Sequence, residues 1–166
     1  MKSDRTFRFL TKRVWSWINR TLVIPFRAVR LGQRALEVPI ILQVSEVECG
    51  AACLTMILSY HGLSVSLSDC REMLRIGDHG ASALSIANAA RAHGLRVRAF
   101  SLSPADFRPV RLPAIVHWKS NHFVVLEHWS LDNVEIIDPA FGRRQLTAEE
   151  FGAGFAGVVL MFEREV

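Results

Sequence analysis

The order of hydrophobic and polar positions divides the chain into a helical first part and a strand-rich second part. Stretches rich in helix formers predict helices over residues 50–60, 67–74 and 83–93. Beyond Gly94 the pattern changes to short β-rich runs, which predict strands over residues 96–100, 114–118, 123–127, 134–137 and 158–162. Thr147 and Glu150 match a capping box and predict a short helix over residues 148–151. Helices followed by strands predict an α+β fold.

The N-terminal segment has a different pattern and a different charge. Between Phe7 and Leu22, apolar residues at helical spacing alternate with arginine and lysine, which predicts a basic amphipathic helix. The first 38 residues hold nine basic and two acidic side chains, leaving 11 and 14 for the remainder. We therefore expect a basic extension over residues 1–38, followed by a domain over residues 39–166 that begins at Pro39.

Length, composition and cysteine count narrow the class of protein. With 166 residues, half of them hydrophobic, the chain has material for one core. Three cysteines do not make a disulfide framework and fit a reducing compartment better. The sequence has no apolar run of the roughly 18 to 20 residues that a membrane span needs, and charges interrupt any secretory-signal pattern.

Cys49 lies where a polar turn meets the start of an apolar helix. Free backbone N–H groups and the positive end of the helix dipole favour thiolate at such a position, and the thiolate is the nucleophile. Gln43, six residues earlier, carries a side-chain amide that is able to donate to an oxyanion. The backbone N–H of Cys49 is the natural second donor.

A general base and an orienting carboxylate are predicted late in the chain. His122 precedes one predicted strand, and Asp138 follows the next. In an antiparallel pair the start of one strand lies opposite the end of its neighbour, so we expect these two side chains to be adjacent. A cysteine activated by a histidine that a third group orients is a nucleophilic catalytic arrangement.

Four stretches of the sequence, in order, resemble the peptidase C39 family. They are residues 43–54 (QVSEVECGAACL), 80–84 with 89–95 (GASAL and AARAHGL), 121–126 (NHFVVL) and 137–142 (IDPAFG). The resemblance implies a papain-like cysteine peptidase fold over residues 39–166, with a helical part followed by an antiparallel sheet. It further implies that Cys49 is the nucleophile, His122 the general base and acid, Asp138 the orienting residue and Gln43 the oxyanion donor.

The resemblance also implies a substrate and a partner. Members of the family cut a leader from bacteriocin-like precursor peptides after a double-glycine-type site, and an ABC transporter exports the product. We therefore expect a cytoplasmic enzyme at the inner face of the cell membrane, fused to a transporter or separate from it, with no cofactor or metal. Residues 1–24 are predicted to contact a membrane surface or a partner rather than nucleic acid.

Several alternatives stay open on the sequence alone. The simplest alternative for Cys49 is a buried structural thiol. We expect Cys53 and Cys70 to have this role. The cysteines and six histidines offer zinc ligands, but no paired-ligand spacing is present. A docking module that holds the leader without cutting it is the main rival function. An acyltransferase on the same scaffold is a third.

Overall fold

The computed structural model describes residues 37–103, 106–107, 110–119 and 121–164, and these form helices followed by an antiparallel sheet. The described helices are α1 Cys49–Tyr60, α2 Leu67–Leu74, α3 Ala83–Ala92 and α4 Ala148–Gly154, with a 3-10 turn at Glu46–Glu48 before α1. The strands are β1 Leu95–Ser101, β2 Ala114–Trp118, β3 His122–Trp129, β4 Val134–Asp138, β5 Gly142–Leu146 and β6 Phe155–Arg164. The predicted α+β class is confirmed. The helix predicted between Phe7 and Leu22 lies outside the described residues.

Local hydrogen bonds explain why three of the helices begin where they do. The side chains of Ser66, Ser82 and Thr147 each accept a backbone N–H three residues further on, at 3.0 to 3.1 Å. A hydroxyl in this position satisfies one of the donors that the first helical turn leaves without a partner. The capping box predicted at Thr147 is therefore present, although α4 extends to Gly154 rather than ending at Phe151.

The sheet is antiparallel throughout and has the strand order β1-β6-β2-β3-β4-β5. Both faces of its central strands are covered. Ile115 and Val125 pack with the helical layer, whereas Val116 and Leu126 pack on the opposite face with Phe151 of α4. Side chains alternate between the two faces of a strand, so a strand buried on both faces has a continuous apolar run.

Helix α1 is the central element of the helical layer. Every residue from Cys49 to Leu58 is buried, as expected of a helix that is apolar on all sides. Its first turn lies very close to the loop before α3. A Cβ added at Gly50 would lie 2.7 Å from the Cβ of Ala81. Only glycine fits at this position without displacing the loop.

Strand β5 was not predicted from the sequence. Gly142–Leu146 reads GRRQL and contains one large apolar residue, at its end. It is an edge strand that pairs with β4 alone, and its three central side chains are exposed. A strand with this composition gives no apolar alternation, so its position depends on pairing with β4.

Among the described residues, no helix is both long and apolar enough to cross a membrane.

Candidate active site

The hairpin formed by β3 and β4 brings His122 and Asp138 together. His122 is the first residue of β3 and Asp138 the last residue of β4, so each strand is longer by one residue at this end than the sequence predicted. The Nε2 atom of His122 lies 2.8 Å from Oδ1 of Asp138. The Asp138 side chain is 3% exposed, so this hydrogen bond is shielded from water.

Cys49 approaches the same histidine from the helical layer. It is the first residue of α1 and follows the 3-10 turn directly. Its side chain lies near enough to His122 to raise the pKa of the imidazole. Because Nε2 is taken by Asp138, the other ring nitrogen, Nδ1, is the one left for the sulfur. The three residues therefore converge at one place.

The neighbours of His122 favour its charged form. The hydrogen bond with Asp138, and next the interaction with the Cys49 side chain, raise the pKa of His122 from 6.5 to about 9, although burial acts in the opposite direction. The imidazole consequently holds its proton at neutral pH. A protonated histidine beside a thiolate is the charge arrangement that an activated cysteine requires.

Asp138 is held as a carboxylate. Burial alone would raise its pKa, but hydrogen bonds from His122 and from the backbone N–H of Ala140, with the charges of His122 and Arg144, lower it. The Ala140 N–H lies 2.9 Å from Oδ1, and Arg144 Nη1 lies 3.6 Å from Oδ2. Arg144 was not identified from the sequence, because it belongs to the strand β5 that carries no apolar pattern.

Gln43 lies on a loop tied to both halves of the site. Its backbone N–H donates to the carbonyl of Pro139, the residue after Asp138, at 2.9 Å. Its Oε1 atom is buried and has no hydrogen-bond partner within the described part of the chain. The oxygen and nitrogen of an amide exchange places by a half turn. The amide oxygen of Gln43 is thus shielded from water, and a half turn would put the amide nitrogen in its place.

A narrow cleft opens beside Cys49. Its cavity volume is about 30 Å³, and it is lined by Glu46, Val47, Cys49, His79, Gly80, Ala81 and Asn121. A Cβ added at Gly80, which has a φ of +71°, would lie 3.1 Å from the carbonyl oxygen of Val47. Close backbone approach therefore limits the width of the cleft. His79 and Asn121 were not predicted to belong to the site, since an isolated polar residue gives no sequence signal.

The other two cysteines differ from Cys49 in their surroundings. All three are free thiols. Burial raises the pKa of Cys53 well above its usual value and raises that of Cys70 as well, so both favour the neutral thiol. The Sγ of Cys53 donates to the carbonyl of Phe123 at 3.3 Å, which links α1 to β3 one residue after His122.

Across the described ranges, no group of three potential metal-ligating side chains from histidine, cysteine, aspartate and glutamate converges.

A helical layer on an antiparallel sheet, with a thiol at a helix start beside a histidine and a carboxylate, is the architecture of papain-like peptidases. The sequence model of the peptidase C39 family matches residues 37–166, and the chain belongs to this family. The predicted fold and the resemblance are both confirmed.

Similar proteins agree with this assignment. The chain is 37% identical, over 124 residues, to a probable microcin-H47 secretion/processing ATP-binding protein and to a colicin V secretion/processing ATP-binding protein, both of Escherichia coli. These matches cover 75% of the chain but 18% of either relative, so the chain spans about a fifth of their length. Among solved structures it is similar to a double glycine motif protease from an AMS/PCAT transporter, crystallised with the leader peptide. That match has a TM-score of 0.76 at 36% identity and covers 79% of this chain and 94% of the other.

Proposed function

We propose that this chain is a cysteine endopeptidase that removes the leader from an exported, bacteriocin-like precursor peptide after a double-glycine-type site. The observation that carries the proposal is the convergence of Cys49, His122 and Asp138, with 2.8 Å between the imidazole and the carboxylate. Family membership supports a peptidase. The relatives named for secretion and processing, and the similar protease crystallised with a leader peptide, support the substrate class.

The arrangement accounts for both halves of the reaction. The Cys49 thiolate attacks the carbonyl carbon of the residue before the cut, and the oxyanion accepts hydrogen bonds from the Gln43 amide and the Cys49 backbone N–H. His122 gives its proton to the leaving amine, which breaks the peptide bond and frees the core peptide. His122 then takes a proton from water, whose oxygen attacks the thioester and releases the leader as a carboxylate.

The cleft accounts for the preference for small residues. A cavity of about 30 Å³ beside Cys49 has no room for a large side chain, whereas glycine has no side chain to accommodate. We assign this cleft to the double-glycine end of the leader.

Exposed apolar side chains near the site fit the rest of the leader, which we expect to be an amphipathic helix. Val44 is 82% exposed, Phe141 76% and Leu84 68%. Val44 follows Gln43, Phe141 lies three residues after Asp138, and Leu84 lies three residues after the cleft residue Ala81. We propose that these side chains receive the apolar face of the leader helix.

We further propose that the peptidase acts in the cytoplasm, at the inner face of the cell membrane, together with an ABC transporter. The free thiols fit a reducing compartment, and the relatives are ATP-binding secretion proteins. The predicted membrane contact through residues 1–24 lies outside the described residues and stays a prediction.

Incubation of the purified chain in reductant with a synthetic precursor tests the proposal. The precursor carries a double-glycine leader, and mass spectrometry locates the cut. We expect one cut after the second glycine, and none with Cys49→Ala or His122→Ala. Cys70→Ala is the matched control, since it removes a buried thiol away from the cleft, and it should still cut. An intact precursor, or a cut made equally well by Cys49→Ala, would contradict the proposal. Binding without cleavage would favour a docking module instead.

A further inference from the structure

One buried carboxylate, that of Glu48, holds the loop between Gln43 and Cys49. The Glu48 side chain is 2% exposed. Its Oε2 atom accepts the backbone N–H of Val44 at 2.9 Å and that of Ser45 at 3.2 Å. Its other oxygen, Oε1, lies 2.8 Å from Nε of Arg71, which comes from α2. A buried carboxylate needs such partners, because an uncompensated charge away from water is strongly destabilising.

These contacts fix the backbone on both sides of the Gln43 side chain. Val44 and Ser45 are the two residues after Gln43, and Glu48 holds both of their N–H groups. On the other side, the N–H of Gln43 is bonded to the carbonyl of Pro139. An oxyanion donor is effective only when it is held in place before the charge develops, since reorganisation during the reaction cancels its benefit.

We propose that Glu48 is a positioning residue for the oxyanion donor Gln43, with Arg71 as its counter-ion. This inference rests on the proposed peptidase function. Glu48 makes no contact with substrate. It acts by holding the loop that carries the Gln43 amide, so its removal slows the chemical step by the same route as removal of that amide.

Two other roles for Glu48 predict different results. A carboxylate next to Cys49 in the chain is able to act on the sulfur, in which case its loss changes the reactivity of the thiol itself. A purely structural carboxylate stabilises the fold, in which case its effect on cleavage is independent of Gln43. Thiol alkylation separates the first from our proposal, and a double-mutant cycle separates the second.

The cycle compares kcat for leader cleavage in wild type, Gln43→Ala, Glu48→Ala and the double variant. Removal of an oxyanion donor lowers kcat by about 10²-fold, and we expect Gln43→Ala to do so. Glu48→Ala should lower kcat by at least about 10-fold with KM within about twofold of wild type. In the Gln43→Ala background, Glu48→Ala should lower kcat by less than about twofold. If the fall in kcat of the double variant equals the product of the falls in the two single variants, the proposal is overturned.

Arg71→Met provides a second route to the same answer if Glu48→Ala folds poorly. The Arg71 side chain is 54% exposed, and the N–H groups of Val44 and Ser45 still bind Glu48 in this variant, so we expect it to fold. Removal of the counter-ion should lower kcat by about threefold or more when Gln43 is present, and by less than about twofold when it is absent. Equal losses in both backgrounds would count against the proposal.

Alkylation by iodoacetamide is the second readout. In this reaction the sulfur attacks a saturated carbon, and no oxyanion forms. Cys49 should therefore be alkylated no more slowly in Glu48→Ala than in wild type. A parallel fall in alkylation and in kcat would overturn the proposal in favour of an effect on the sulfur. Asp69→Ala is the matched control, because Asp69 also accepts a backbone N–H three residues back, from Ser66, but lies exposed on α2. It should leave kcat unchanged.

The proposed function and this inference fail separately. No cleavage by the wild-type chain contradicts the peptidase itself. Cleavage by the wild type with multiplying losses in the cycle contradicts only the role of Glu48.

Discussion

Replacement of Asp138 by asparagine tests the electrostatics of the candidate site. The carboxylate accepts from His122 through Oδ1, and this contact is the largest single reason for the raised pKa of the imidazole. Asparagine keeps the size of the side chain and an oxygen that is able to accept the Ala140 N–H, but it has no charge. The variant therefore removes the cause of the pKa rise without opening a cavity.

The size of the effect follows from the pKa. A rise from 6.5 to about 9 for His122 corresponds to about 3 kcal/mol of preference for the charged imidazole. Cys49, the second cause, remains in the variant. We therefore expect Asp138→Asn to lower the pKa of His122 by at least about one, toward 6.5, which is a loss of about 1.4 kcal/mol or more. Leader cleavage should fall by about 10²-fold, since the charged imidazole is stabilised less and loses the carboxylate that orients it.

Titration of the histidine side chains by NMR measures the change directly. The chain has six histidines, and the signal missing from His122→Gln identifies the relevant one. Glu135→Gln is the matched control, because it removes a carboxylate from the same strand, three residues from Asp138. It should leave the titration of His122 unchanged. A pKa for His122 in Asp138→Asn within about 0.3 of the wild-type value would refute the reasoning.

The same pKa values set the pH dependence of stability. The folded-state pKa of His122 is raised, so its contribution to the free energy of unfolding is full below about 6.5 and is lost as pH rises through about 9. The folded-state pKa of Asp138 is lowered, so its contribution is present above 3.8 and is lost as pH falls through the folded value. Urea unfolding should therefore show a decline between about pH 7 and 9.5 that is shallower in Asp138→Asn.

Three further changes test the packing and the leader surface. Gly154→Ala places a Cβ 2.3 Å from the ring of Trp118 and should lower the free energy of unfolding by about 1 to 3 kcal/mol, measured in urea; an unchanged midpoint would contradict the packing. Phe151→Ala should cost about 3 to 5 kcal/mol, because the ring is 0% exposed, and a loss below about 1 kcal/mol would argue against its central position. Phe141→Ser should raise KM for the precursor by about 10-fold with kcat unchanged, and equal KM values would exclude this ring from leader docking.

The sequence indicated most of the fold because the central elements have strong local patterns. The segment from Cys49 to Tyr60 is rich in helix formers, and the strand from Phe123 to Leu126 is a continuous apolar run. The proximity of His122 and Asp138 followed from the same patterns, since two predicted strands joined by a short turn leave one geometry for their ends. The shift in register between Leu126 and His128 in this pair was not predicted.

The parts that could not be predicted depend on contacts between distant segments. β5 has a polar sequence and becomes a strand through its pairing with β4. Arg143 in β5 forms a two-point ion pair with Glu127 of β3, at 2.7 and 3.1 Å, which no local pattern reveals. Glu48 lies in a polar, acidic turn and would be expected at the surface. Its burial depends on Arg71, which comes from another helix.

The two thiols at the start of α1 have different surroundings, which suit the different roles that we propose for them. Cys49 and Cys53 are one helical turn apart and chemically identical, yet Cys49 lines the cleft and meets His122, whereas Cys53 is fully buried against Phe123. Burial keeps Cys53 a neutral thiol by raising its pKa, and a neutral thiol is able to donate to the Phe123 carbonyl. That bond sets the position of α1 against β3 one residue from the histidine. Cys53 thus helps to fix the distance between Cys49, the proposed nucleophile, and His122, its proposed base.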